Sequence, residues 1–201
     1  VMATFTTSGL MFRHIEICLP DRPHPLPTTQ CNYPVGGREV ERAAWPSNIK
    51  RPSTMYLEEY TVGMEREFGS KTVSREEVIR FAKEFDPQPF HIDEAAAKDT
   101  MFGGLIASGW HTCAMLMRML CDEFLIDDEG SLGSGGVDEI RWKMPVRPGD
   151  TLRVRSCVTE VRGSESKPDR GIVRSDYSVI NQDDQVVMTT KSMGFFLKRP
   201  V

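Results

Sequence analysis

The sequence predicts an α+β fold in which an antiparallel sheet of about five strands curls around one long helix. Three observations carry this expectation. The segment Trp110–Leu125 is apolar on nearly all sides, so it must be enclosed over most of its circumference. The C-terminal third alternates apolar with polar side chains at the two-residue period of half-buried strands. Short polar turns such as Asn181-Gln182-Asp183-Asp184 join those strands, and consecutive strands so joined pair antiparallel.

The elements follow in order along the chain. Residues 1–53 hold seven of the thirteen prolines and keep no apolar period, so they read as a disordered extension, with the domain in residues 54–201. Glu65–Val73 forms a first strand. Ser74-Arg75-Glu76-Glu77 then supplies a capping box, with a side-chain oxygen at the N-cap and a Glu three residues on. Val78, Phe81, Ala82 and Phe85 make one apolar helical face, and the helix stops at Asp86 because Pro87 disfavours helical backbone in the residue before it. An irregular stretch through Pro87 and Pro89 leads to His91, after which Asp93 caps a short helix, Glu94–Lys98. Beyond Gly103-Gly104 and Ser108-Gly109 comes the central helix. The strands that enclose it are Val137–Met144, a pair around Leu152, Val154 and Val158 and around Val173, Tyr177 and Val179, and finally Gln185–Leu197.

Composition narrows the function. The chain is 39% hydrophobic and 27% charged, as a folding chain should be, and its net charge of −4 provides no pull toward nucleic acid or an anionic membrane. The five cysteines contain no CxxC pair and are odd in number, which supports neither a zinc site nor a disulfide staple. No stretch reaches the ~20 apolar residues of a membrane span, and the N-terminus lacks the order of an export or import signal. A reducing cytoplasm is therefore expected.

The chemistry concentrates in Phe85-Asp86-Pro87-Gln88-Pro89-Phe90-His91-Ile92-Asp93. Asp86 and His91, five apart on a loop stiffened by proline, are able to converge on one water molecule. The backbone N–H of Gly109, at the start of the central helix, is placed to donate to a carbonyl oxygen where the helix dipole favours negative charge. Taken alone, an Asp before Pro is commonly a helix stop, and a His near an N-cap is commonly a loop residue.

Three motifs in order make the pattern specific. Asp86, Pro89, His91 and Asp93 occupy in register the pattern Gly-Asp-x-Asn-Pro-x-His-x-Asp, and the segments Gly103–Gly109 and Met144–Asp150 are similar to the second and third motifs of the same family. The sequence thereby resembles the MaoC-like dehydratases, the (R)-specific or type 2 enoyl-CoA hydratases of the hot-dog fold, from about Tyr60 to Leu197. The resemblance implies reversible addition of water to a trans-2-enoyl-CoA thioester. It makes Asp86 and His91 the acid/base pair, with Gly109 as donor to the thioester oxygen and Gln88 at a substrate-binding position. It further implies a homodimer, with no metal and no cofactor beyond the coenzyme A of the substrate. Two departures stand out: Phe85 replaces the family's Gly, and Gln88 replaces its Asn. They leave two rivals in place, a hot-dog thioesterase and an acyl-CoA-binding subunit without catalysis.

Several residues read more plainly. His111 is expected to cap or pack rather than catalyse. Met115, Met117 and Met119 fit either a pliable acyl lining or simple core. Arg118, inside the apolar run, needs a partner, either a dimer mate's carboxylate or a phosphate of coenzyme A.

Overall fold

The computed structural model describes residues 54–125 and 128–200, so the extension expected over residues 1–53 lies outside the described residues. A 3-10 turn, Leu57–Glu59, precedes β1 (Glu65–Thr72). Three helices follow, α1 (Arg75–Phe85), α2 (Pro89–Ile92) and α3 (Glu94–Lys98), and then α4 (Gly109–Leu120) with a π-helical turn, Cys121–Leu125. Strands β2 (Gly136–Trp142), β3 (Thr151–Gly163), β4 (Arg170–Ile180) and β5 (Val186–Leu197) complete the sheet, which runs β1-β3-β4-β5-β2 with every pair antiparallel.

Helix α4 lies against one face of this sheet. Met115, Leu116 and Met119 meet Leu152, Val154, Val179 and Met188 from the strands and Val78 from α1 in one buried cluster. The contact with β1 is close because Gly69 breaks the strand register with φ of +79°, and a side chain there would strike the Met119 sulfur.

The expected elements are present, with five corrections. Helix α4 is open on one side within this chain: Trp110 is 58% and Met117 48% exposed, because a five-stranded sheet covers a single face. Arg118 is likewise an exposed side chain, paired with Asp122 one turn on rather than with a buried partner. The stretch before His91 is helical, since Pro89 at the first helical position fixes a favourable φ. The capping box is half formed: Ser74 accepts from the Glu77 N–H, while the Glu77 carboxylate turns to Lys71. Cys113 and Cys121 carry free thiols, but Cys157 is disulfide-bonded, so the expectation of no staple fails there. Among the described residues no helix is long and apolar enough to cross a membrane.

Candidate active site

The site forms where the turn between α1 and α2 meets the start of α4. Pro87 forces Asp86 out of the helical region, to φ −152° and ψ 68°, so the carboxylate leaves the α1 axis at the helix end. Its Oδ1 accepts from Gln88 Nε2 at 2.8 Å, and its Oδ2 accepts from Ser108 Oγ at 2.6 Å. Ser108 is the N-cap of α4, and the same hydroxyl accepts from the Trp110 N–H at 3.2 Å. One buried hydroxyl thus ties the cap of α4 to the carboxylate that ends α1.

His91 is nearly fully buried on α2, edge-on to Phe90. Its Nδ1 lies 2.8 Å from the Ile106 carbonyl oxygen. A carbonyl only accepts, so Nδ1 carries a proton and Nε2 is the nitrogen left to exchange one. That Nε2 stands 3.4 Å from Asp86 Oδ2. The segment carrying Ile106 is itself fixed, with the Ile106 N–H donating to the Phe90 carbonyl and the Ala107 N–H to that of Val146.

The charge at Asp86 has a physical cause. Burial alone would raise its pKa, but hydrogen bonds from Ser108 and Gln88, together with the nearby His91, outweigh that and hold the carboxyl below its ordinary value. Asp86 is therefore an ionised acceptor near neutral pH, beside an imidazole with one open nitrogen.

Gly109 is the first residue of α4, and its N–H has no acceptor among the described residues. Its other flank is filled. A Cβ there would stand 2.5 Å from the Trp142 indole, whose Nε1 donates to the Gly109 carbonyl at 2.9 Å. The glycine is thus required by the indole as well as being open at its N–H.

Of the residues singled out in the sequence, the structure brings Asp86, Gln88 and His91 together, and Gly109 follows directly on Ser108, which bonds to Asp86. Gln88 contacts the carboxylate of Asp86, which its longer side chain reaches from the N-cap position of α2. Asp93 is apart and caps α3 through the amides of Ala95 and Ala96. His111 stacks on Phe81 and faces Glu77, a packing role, with burial lowering its pKa against the pull of that carboxylate. Ser108 and Trp142 were not assigned roles from sequence. The position of Ser108 before a helix signals a cap, but nothing local reports its second bond to a residue far back in the chain. Among the described residues no cluster of three or more His, Cys, Asp or Glu side chains is placed to hold a metal ion.

Comparison with known proteins bears on the family and the fold that carry this arrangement. The profile of the MaoC-like domain family matches residues 58–180. A MaoC-like dehydratase from Rhodospirillum rubrum superposes with a TM-score of 0.68 at 41% identity, covering 73% of this chain and 99% of that one. The (R)-hydratase from A. caviae involved in PHA biosynthesis superposes with a TM-score of 0.55 at 26% identity, over 69% of this chain and 97% of that one. The 3-hydroxybutyryl-CoA dehydratase of Methylorubrum extorquens is 31% identical over 111 residues, 53% of this chain and 66% of that protein. Its family profile, its antiparallel sheet and its central helix agree, and the chain belongs to the MaoC-like domain family with the hot-dog fold.

Proposed function

We propose that this protein reversibly adds water to a trans-2-enoyl-CoA thioester to give an (R)-3-hydroxyacyl-CoA. The observation that carries the reading is the meeting of Asp86 Oδ2 and His91 Nε2, 3.4 Å apart, beside the open N–H at the start of α4. Water held between the two attacks Cβ of the substrate. Its proton passes to the ionised Asp86 carboxylate while the open Nε2 of His91 accepts a hydrogen bond from the water's other hydrogen, and the Asp86 carboxyl then gives the proton to Cα. Delivery of that proton returns Asp86 to its ionised form and leaves His91 unchanged. While the new bonds form, negative charge gathers on the thioester oxygen, where the Gly109 N–H and the positive end of α4 stabilise it.

The departures at Phe85 and Gln88 do not undo this geometry. Phe85 is exposed, and Gln88 orients the carboxylate that takes the proton. The 3-hydroxybutyryl-CoA dehydratase relative supports an acyl-CoA substrate. A homodimer joined through β2 fits as well, since that edge strand presents the exposed Val137 and Trp142 beside exposed Trp110.

Crotonyl-CoA tests the reading. Loss of the enoyl absorbance with no release of free thiol is expected. Thiol release would identify a thioesterase, and an unchanged spectrum with retained binding would identify a binding subunit.

A further inference from the structure

A cavity of about 300 Å³ lies between α4 and the sheet, and its floor changes character along the strands. Beside the start of α4 the floor is apolar, with Met188 touching the Cys113 thiol across a gap of 3.6 Å. Two residues further on, the cross-strand row is Arg66 on β1, Ser156 on β3, Tyr177 on β4 and Thr190 on β5, all lining the cavity. A row of donors therefore crosses the floor about 7 Å beyond the row beside Gly109, with Ser175 and Ser192 in the row after it.

Tyr177 meets the hydroxyls of Ser175 and Ser192, but Thr190, Arg66 and the neighbouring Tyr60 lack good acceptors among the described residues. Thr190 is 6% exposed, and its Oγ1 has no hydrogen-bond partner among the described residues, nor has the buried Oη of Tyr60, which lines the same cavity. Burial raises the pKa of both Tyr60 and Tyr177, so both phenols stay protonated and able to donate. Among the described residues Arg66 meets the thioether sulfurs of Met55 at 3.1 Å and Met64 at 3.6 Å, and the face of Phe124. Thioethers are weak acceptors, which leaves a guanidinium with five donors poorly satisfied. Two carboxylates, Asp128 and Glu59, act on Tyr60, yet neither lines the cavity. Asp128 Oδ1 accepts from the Met55 and Gly130 amides while its buried Oδ2 has no partner among the described residues, and Glu59 is paired with Arg199.

We propose that the acyl chain taken by this cavity carries an oxygen acceptor several carbons beyond the thioester, as a terminal carboxylate or hydroxyl, and that Arg66, Tyr60 and Thr190 read it. The proposal rests on the acyl-CoA reading above and deepens it to a substrate class. An alkyl tail would bury this set of donors unpaired, and a site built to hydrogen-bond an oxygen discriminates against a ligand that lacks it.

Saturated acyl-CoA thioesters, which cannot be hydrated, separate the two claims. Binding by isothermal titration calorimetry is compared for hexanoyl-CoA, its terminal hydroxyl analogue and adipoyl-CoA, and for the octanoyl and suberoyl pair. At least one oxygen-ended ligand is expected to bind about tenfold more tightly, or better, than the alkyl ligand of its length. In Arg66→Met and Thr190→Val proteins, checked for folding by circular dichroism, that ratio is expected to fall toward one. Alkyl ligands that bind as tightly as every oxygen-ended counterpart would overturn the proposal, and a ratio unchanged in both variants would overturn the assignment to Arg66 and Thr190. The matching enoyl thioesters are followed by absorbance in parallel, and a binding preference without hydration counts against the hydratase reading alone.

Discussion

The two ends of α4 handle polar groups in opposite ways. At its N-terminus, Ser108, Asp86, Gln88 and His91 are bonded to one another or to backbone, and Nε2 of His91 and the N–H of Gly109 stay open. Toward its C-terminus, Thr190 and Tyr60 present buried hydroxyls without partners among the described residues, and Arg66 rests on sulfur and an aromatic ring. The first arrangement suits chemistry, because side chains held by their neighbours keep a reacting geometry without reorganising. The second suits recognition, because unpaired donors gain only when a ligand supplies the acceptor.

The largest effects should come from breaking the tied end. Asp86→Asn and His91→Ala should each lower kcat by about 10²-fold or more with the fold intact by circular dichroism. The double variant should be little worse than the worse single one, since the two act as a unit. Wild-type kinetics in either single variant would separate that residue from the reaction.

Gly109→Ala comes next. Its Cβ would strike the Trp142 indole, so the expected outcome is a lower kcat together with a loss of roughly 1–3 kcal/mol in stability from overpacking. Trp142→Ala should reduce that stability cost in the double variant, because the clash partner is gone. A Gly109→Ala protein as stable as wild type would show that the indole moves aside freely.

Ser108→Ala sharpens the comparison by loosening one bond of the tied end. The hydroxyl helps hold the Asp86 carboxyl below its ordinary value, and such a carboxyl contributes stability that is present above that ordinary value and lost as pH falls through the lowered one. Removing the donor raises the pKa, so the acid limb of the kcat/KM profile should move to higher pH. Loss of the cap should cost about 1 kcal/mol in urea unfolding. An acid limb that stays in place would assign that limb to another group.

The smallest effect is expected on the open face of α4. Arg118→Ala removes an exposed pair with Asp122 and should change stability by no more than about 0.5 kcal/mol, with kcat unaltered. A large loss would show that Arg118 meets a second subunit.

Much of this was legible in the residues alone. The apolar face of α1, the proline that ends it at Asp86, the cap at Asp93 and the alternation of β3 and β4 are local patterns, and local backbone physics is enough to place them. The closeness of Asp86 and His91 on one short proline-bounded turn was legible for the same reason, but their singling out rested on the family resemblance, because each alone reads as a helix stop or a loop position. Tertiary structure alone decided what those patterns meet. Ser108 reaches Asp86 and Ile106 reaches His91 only because the chain returns past α2 before α4 begins. The indole behind Gly109 comes from β2, far along the chain. The donor row at the far end of α4 exists only once β1, β3, β4 and β5 lie in register, since each of its residues reads singly as an ordinary polar position in an alternating strand. Sequence pattern reports periodicity within an element, whereas the chemistry of a site depends on distances between elements, and those are set by how the sheet packs on α4.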